Sequence, residues 1–149
     1  MLGESVDDPD GLEGSPGKTK ALNLLPVQTI LKAPKTTTLS DFQWEDAKGK
    51  GYEIHMGYTT LSAGASLLKI NSRNSIPCTN TDGCISENGR VAGTYIHGFF
   101  DSSQILTKWL KSIGLDINFS IDDMINLKER DYILLKKHFE AHIDMHDFL

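Results

Sequence analysis

Cysteine is scarce in this chain, and its scarcity excludes several classes at once. The 149 residues hold two cysteines, Cys78 and Cys84. That is too few for a secreted disulfide framework, and they are not spaced as a paired Cys-x-x-Cys metal motif. Charge of one sign is not concentrated either. Fifteen Lys and Arg stand against twenty Asp and Glu, with no long basic run, so nucleic acid is not an expected partner. No apolar run is long enough to cross a bilayer. The first residues carry neither the basic patch nor the apolar stretch of a secretory leader. With these features missing, the expected address is the cytoplasm, with no membrane partner. The length suffices for one modest core and not for two full domains.

What is present reads first as strands and then as helices. Residues 7–17 form an acidic loop dense in Asp, Gly and Pro, with almost no room for an element before it. Gly17-Lys18-Thr19 has the tail of a phosphate-binding loop, but Leu12 stands where that loop needs glycine, and the P-loop reading is rejected. The run 21–27 is apolar and is ended or placed at an edge by Pro26. Residues 28–35 extend it, and Thr36 to Leu39 read as β. Residues 41–50, with Gly49 and Gly51 around Lys50, read as a turn or loop. From Gly51 the chain alternates, with Tyr52, Ile54 and Met56 on one face and Glu53 and His55 on the other. A strand at 67–70 precedes a Ser/Asn/Pro-rich loop. Asn88-Gly89 marks a tight hairpin turn. Beyond it, Ser102 or Ser103 caps a helix with Ile105, Leu106, Trp109 and Leu110 on one stripe, ended by Gly114. A last helix runs from about Ile121 or Leu127 to His146, with Tyr132, Leu135, Phe139 and Ile143 on one face.

Four groups are candidates for chemistry. The sharpest is His97, delivered at the end of a β-rich stretch and followed by Gly98, where the backbone can turn sharply. Glu53 and His55 are weak substrate-binding candidates: neighbours on one strand face, they line a pocket or form the solvated side, and the solvated reading leads. Cys84 pairs in principle with a histidine as a nucleophile. It lies in a hairpin strand rather than on a sharp strand-to-helix turn, so a small buried hydrophobe is the expectation. His138, His142 and His146 share one helical face at a spacing that suits zinc. No acid or cysteine converges on them, and no metal site is assigned.

The order of these blocks resembles the C-terminal part of the amidotransferase domain of the cobyric acid synthase family, glutamine-hydrolysing enzymes of the cobalamin pathway. The matching stretches are Met1-Leu2-Gly3, the acidic run Asp7-Asp8-Pro9-Asp10-Gly11-Leu12-Glu13-Gly14, Leu24-Leu25-Pro26, Lys35-Thr36, Gly51-Tyr52-Glu53-Ile54-His55-Met56-Gly57 and Gly93-Thr94-Tyr95-Ile96-His97-Gly98. Arg130-Asp131 and Ala141-His142-Ile143-Asp144 extend the likeness into the last helix.

The resemblance implies an α/β, flavodoxin-like class I amidotransferase sandwich. Residues 1–149 would be the C-terminal portion of one such domain, without its first strands and nucleophile elbow and without the ATP-binding synthetase domain. It implies glutamine as substrate and His97 as catalytic base and acid, an imidazole being able to take and return a proton near neutral pH. Ammonia would pass to the synthetase domain, where ATP and magnesium activate corrin side-chain carboxylates and cobyrinic acid a,c-diamide becomes cobyric acid. No cofactor is expected on this portion itself. The family's nucleophilic cysteine lies just upstream of Met-Leu-Gly, so the chain alone is expected to be inactive. It would be a truncated frame or one half of a split enzyme whose partner supplies the thiol. Departures from the family pattern are Tyr58 in place of arginine, Ala21 and Asn23 in place of glycines, and Ala92 in place of tryptophan. No acid stands two residues after His97. A non-catalytic binding or regulatory module, and the glutaminase subunit of a related ligase, remain as alternatives.

Overall fold

Short β-forming runs separated by Gly, Asn and Pro divide the first hundred residues into many strands, and the computed structural model describes residues 1–117 and 120–143. The strands are β1 (Ser5–Asp8), β2 (Gly17–Lys20), β3 (Val27–Ile30), β4 (Thr36–Trp44), β5 (Ala47–His55) and β6 (Tyr58–Leu61). They continue with β7 (Leu68–Arg73), β8 (Ile76–Asp82), β9 (Cys84–Ile85), β10 (Ala92–Gly93) and β11 (Ile96–His97). A 3-10 turn (Phe99–Asp101) leads into α1 (Ser103–Ser112), and α2 spans Ile121–His142. The architecture is mixed α/β. One sheet has the order β2-β1-β3-β6 and the other β11-β5-β4-β7-β8, with β9 and β10 as a separate pair. The β1–β3 pair is parallel and the neighbours in the five-stranded sheet are antiparallel.

Several expectations change here. An element does precede the acidic loop: β1 pairs with β2 across it. The loop is tied down by Asp8, whose carboxylate accepts the backbone N–H groups of Leu12 (2.8 Å) and Glu13 (2.9 Å). Those bonds hold its carboxyl below the usual range. Gly17, Lys18 and Thr19 lie in exposed β2, with no helix directly after them.

Residues 41–50 are not a loop. The β4–β5 ladder runs through them to a turn at Glu45 and Asp46. The glycines serve packing instead: a Cβ at Gly49 would run into the Phe42 ring, and one at Gly51 into Ile96 and the His97 carbonyl oxygen. The Ser/Asn/Pro-rich segment is also strand, β8. Its polarity and its Pro77 fit a sheet edge, where an N–H is not required. The β7–β8 turn places Asn74 (φ 49°) and Ser75 (φ 66°) both in the left-handed region, the geometry of a two-residue hairpin turn.

The core is Phe42, Ala47, Leu68, Ile70, Ile96 and Ile105, sealed between the five-stranded sheet and α1. The Ser102 carbonyl accepts the first α1 bond, from Leu106 N–H, while the Ser102 hydroxyl donates to the Lys48 carbonyl and ties the helix to β5. Gly114, at φ 85°, closes α1 with the six-residue bond Leu115 N–H to Leu110 O. On α2 the stripe expected to be buried stays exposed at Tyr132, Leu135 and Phe139. His142 Nδ1 lies 2.8 Å from the His138 carbonyl oxygen, and His146 lies outside the described residues. Among the described residues no helix is long and apolar enough to cross a membrane.

Candidate active site

Strand β5 carries Glu53 and His55 on one face, and β11 beside it carries His97. Side chains alternate along a strand, so the position of Ala47 in the core turns Gly49, Gly51, Glu53 and His55 inward as well. Glu53 is 2% exposed. The solvated reading of the Glu53–His55 face is therefore reversed, and Tyr52 and Ile54 are the exposed residues.

Burial of a carboxylate requires partners, and Glu53 has them. Ser40 Oγ donates to it at 2.6 Å, and Arg73 Nε and Nη2 each donate at 3.0 Å in a bidentate pair. His55 Nε2 lies 3.5 Å from the same carboxylate. Burial pushes the Glu53 carboxyl up, but the bonds from Arg73 and Ser40 outweigh it and hold the group below the usual carboxylate range. Arg73 reaches Glu53 because β7 is irregular. Its register against β4 shifts by one around Asn71, so that Arg73 pairs with Ser40 while Ile70 pairs with Phe42. An unbulged strand would present Ser72 there.

Glu53, His55 and Arg73 line a cavity of about 620 Å³ between the two larger sheets. Across it, Tyr95 Oη, Thr59 Oγ1 and Thr29 Oγ1 form a hydroxyl chain with separations of 2.5 and 2.7 Å, and the Tyr95 ring lies 4.7 Å from the His55 ring. Asp82 fixes the segment that carries Tyr95 by accepting the Thr94 hydroxyl and the Tyr95 N–H (3.0 Å). Cys84 also faces this cavity. It is buried, and burial pushes its thiol up, the opposite of what a thiolate nucleophile needs. Tyr58 stands exposed among the lining residues. Asn23 takes φ 54°, the conformation a glycine adopts most easily and one that asparagine tolerates.

His97 is on the other side. It pairs in register with Tyr52 of β5, as Ile96 pairs with Glu53. Ile96 therefore points into the core with Glu53, and His97 points outward with Tyr52. Its ring lies parallel to that of Tyr52, 4.9 Å between centroids and 6° between planes. Gly98 (φ 73°) turns the chain away immediately afterwards, and Asp101 N–H closes that turn on the Gly98 carbonyl. The structure thus brings Glu53 and His55 together and keeps His97 apart from them. Ser40, Arg73, Tyr95 and Tyr52 complete the two groups; Ser40 and Arg73 had no local signal, and the blocks that hold Tyr52 and Tyr95 gave them no role. Their roles depend on register, bulge and strand pairing.

A sequence profile of the CobB/CobQ-like glutamine amidotransferase domain matches residues 1–105, which include both groups. The chain belongs to this family. Among similar proteins are the cobyric acid synthases of Chlorobium phaeobacteroides strain BS1 (43% identical over 97% of this chain) and Clostridium novyi (39%, 97%). That of Vibrio parahaemolyticus is 36% identical over the whole chain. In each case the match takes up 30% of the relative's length. The resemblance read from the Gly51–Gly57 and Gly93–Gly98 blocks is thereby established at the level of this amidotransferase family.

Proposed function

We propose that the chain supplies the histidine side of a glutaminase site in a cobyric acid synthase. The observation that carries this reading is the setting of His97: at the end of a strand, exposed, with no hydrogen bond or ion pair to its ring among the described residues, in a family that hydrolyses glutamine. A thiolate attacks the glutamine side-chain amide, and backbone N–H groups stabilise the oxyanion. His97 hands the proton to the departing ammonia and then draws one from the water that cleaves the thioester. The buried, upward-shifted Cys84 is unsuited to be that thiolate, so in this reading the thiol comes from another part of the intact protein.

His55, on the cavity wall, is the candidate for contacts with a small polar ligand. The flavodoxin-like sandwich is the architecture of the intact domain in this reading. The ammonia serves an ATP-dependent amidation of corrin carboxylates in cobalamin biosynthesis. ATP and magnesium are given no site among the described residues of this chain in this reading. Gly17-Lys18-Thr19 is strand rather than phosphate cradle, and the described residues offer no cluster of three His, Cys, Asp or Glu side chains. Those groups are assigned to the synthetase part. The test is ammonia release from glutamine by this chain co-expressed with the preceding part of a cobyric acid synthase. Release that requires both pieces and disappears in His97→Ala is expected. Release that survives His97→Ala would overturn the reading.

A further inference from the structure

We propose that Tyr52 is the positioning residue for His97, its ring doing by stacking what a carboxylate does elsewhere by hydrogen bond. This rests on the reading of His97 as the proton-transfer group. A catalytic imidazole must be held in one plane while a nitrogen stays free to take and return the proton. The usual holder is an acid bonded to the second nitrogen. Glu53, the buried acid of β5, faces the other side of the sheet and is occupied by Ser40 and Arg73. The ring of His97 instead meets Tyr52, face to face at 4.9 Å and 6°.

The contact is built into the backbone. Tyr52 sits inside the nine-residue β5, paired with Leu39 of β4 on one side and with His97 on the other. Gly51 lets β11 approach β5 that closely, since any Cβ there would strike the His97 carbonyl oxygen. A cross-strand aromatic pair in this geometry fixes the plane of each ring. Stacking engages the faces and leaves both nitrogens, which lie on the ring's edge, uncovered. The imidazolium formed in mid-reaction would lie over the tyrosine π-face, which favours positive charge. Among the described residues the Tyr52 ring stacks on no other ring and its hydroxyl makes no hydrogen bond.

The test uses the full chain and reads the ring protons of His97 by NMR, assigned against the other four histidines with His97→Ala. In the wild type and in Tyr52→Phe these protons are expected upfield, shifted by the facing ring. In Tyr52→Leu, which keeps bulk without a ring current, they should return to the unshifted position while the resonances of His55 stay in place. Unshifted His97 protons in the wild type would overturn the proposal whether or not any variant folds. With the thiol-bearing part co-expressed, Tyr52→Leu is expected to lower kcat at least tenfold with KM little changed, and Tyr52→Phe to restore it. Full turnover in Tyr52→Leu, with His97→Ala inactive, would overturn the positioning role while leaving the glutaminase reading standing. Ammonia release that persists in His97→Ala would overturn the glutaminase reading itself.

Discussion

The two faces of β5 differ in how completely their polar groups are satisfied. Inward, Glu53 is buried and bonded by Ser40 and Arg73. Outward, one residue away, Tyr52 and His97 are exposed and share only a ring contact. A buried charge is tolerated only when it is fully partnered, and a fully partnered group has little left to offer a substrate. An exposed imidazole with open nitrogens has the reverse properties. The contrast assigns stability to Glu53 and proton transfer to His97.

The largest effect that would sharpen this contrast lies outward. His97→Ala is expected to cut ammonia release about a hundredfold or more in the co-expressed enzyme, the scale of losing a general acid–base. The denaturant midpoint of the chain should stay put. Inward changes should do the opposite. Phe42→Ala removes the ring packed over Gly49 and against Phe99, at a separation of 5.6 Å, and should cost about 3–5 kcal/mol in urea unfolding. Glu53→Ala leaves Arg73 without its partner. It should cost about 3 kcal/mol, at the low end for a broken buried pair because the Arg73 side chain is about a third exposed.

A smaller effect appears with pH. The folded Glu53 carboxyl is held below its ordinary value of 4.5, so its contribution is complete above that value and is lost as pH falls through the depressed one. Asp8 and Asp41 are held low as well and share this acid limb. Glu53→Gln should therefore flatten the fall in unfolding free energy below pH 4.5 without abolishing it, and an unchanged slope would contradict the assignment. The smallest effect is again outward. Ile54→Thr, on the exposed face, should shift stability by no more than about 0.5 kcal/mol.

Sequence alone made part of this contrast readable. The Asn88-Gly89 hairpin reappears with a wider loop, from Ser86 to Val91, between two-residue strands, while the start of α1 near Ser102 and its stop at Gly114 are local signals that reappear where expected. So does His97 at a strand end before a turning glycine. The face of Glu53 is not legible in sequence, because Tyr52, Ile54 and Met56 look like an inward apolar stripe and a strand's period does not say which face meets the core. That choice is made by Ala47 and Phe42, which anchor the ladder, and by the bulge near Asn71 that brings Arg73 to Glu53. Gly49 and Gly51 suggested a turn because glycine usually marks one. Here they make room for an aromatic ring and a neighbouring strand. The Tyr52–His97 stack joins residues 45 positions apart, and only the β5–β11 register reveals it.

The most direct test measures His97→Ala and Glu53→Ala side by side, reading ammonia release and urea midpoint from the same preparations. The division of labour predicts that His97→Ala loses release at an unchanged midpoint. It predicts that Glu53→Ala loses midpoint while the protein that remains folded keeps release. If Glu53→Ala instead abolishes release at an unchanged midpoint, Glu53 belongs to the reacting site and the account is wrong.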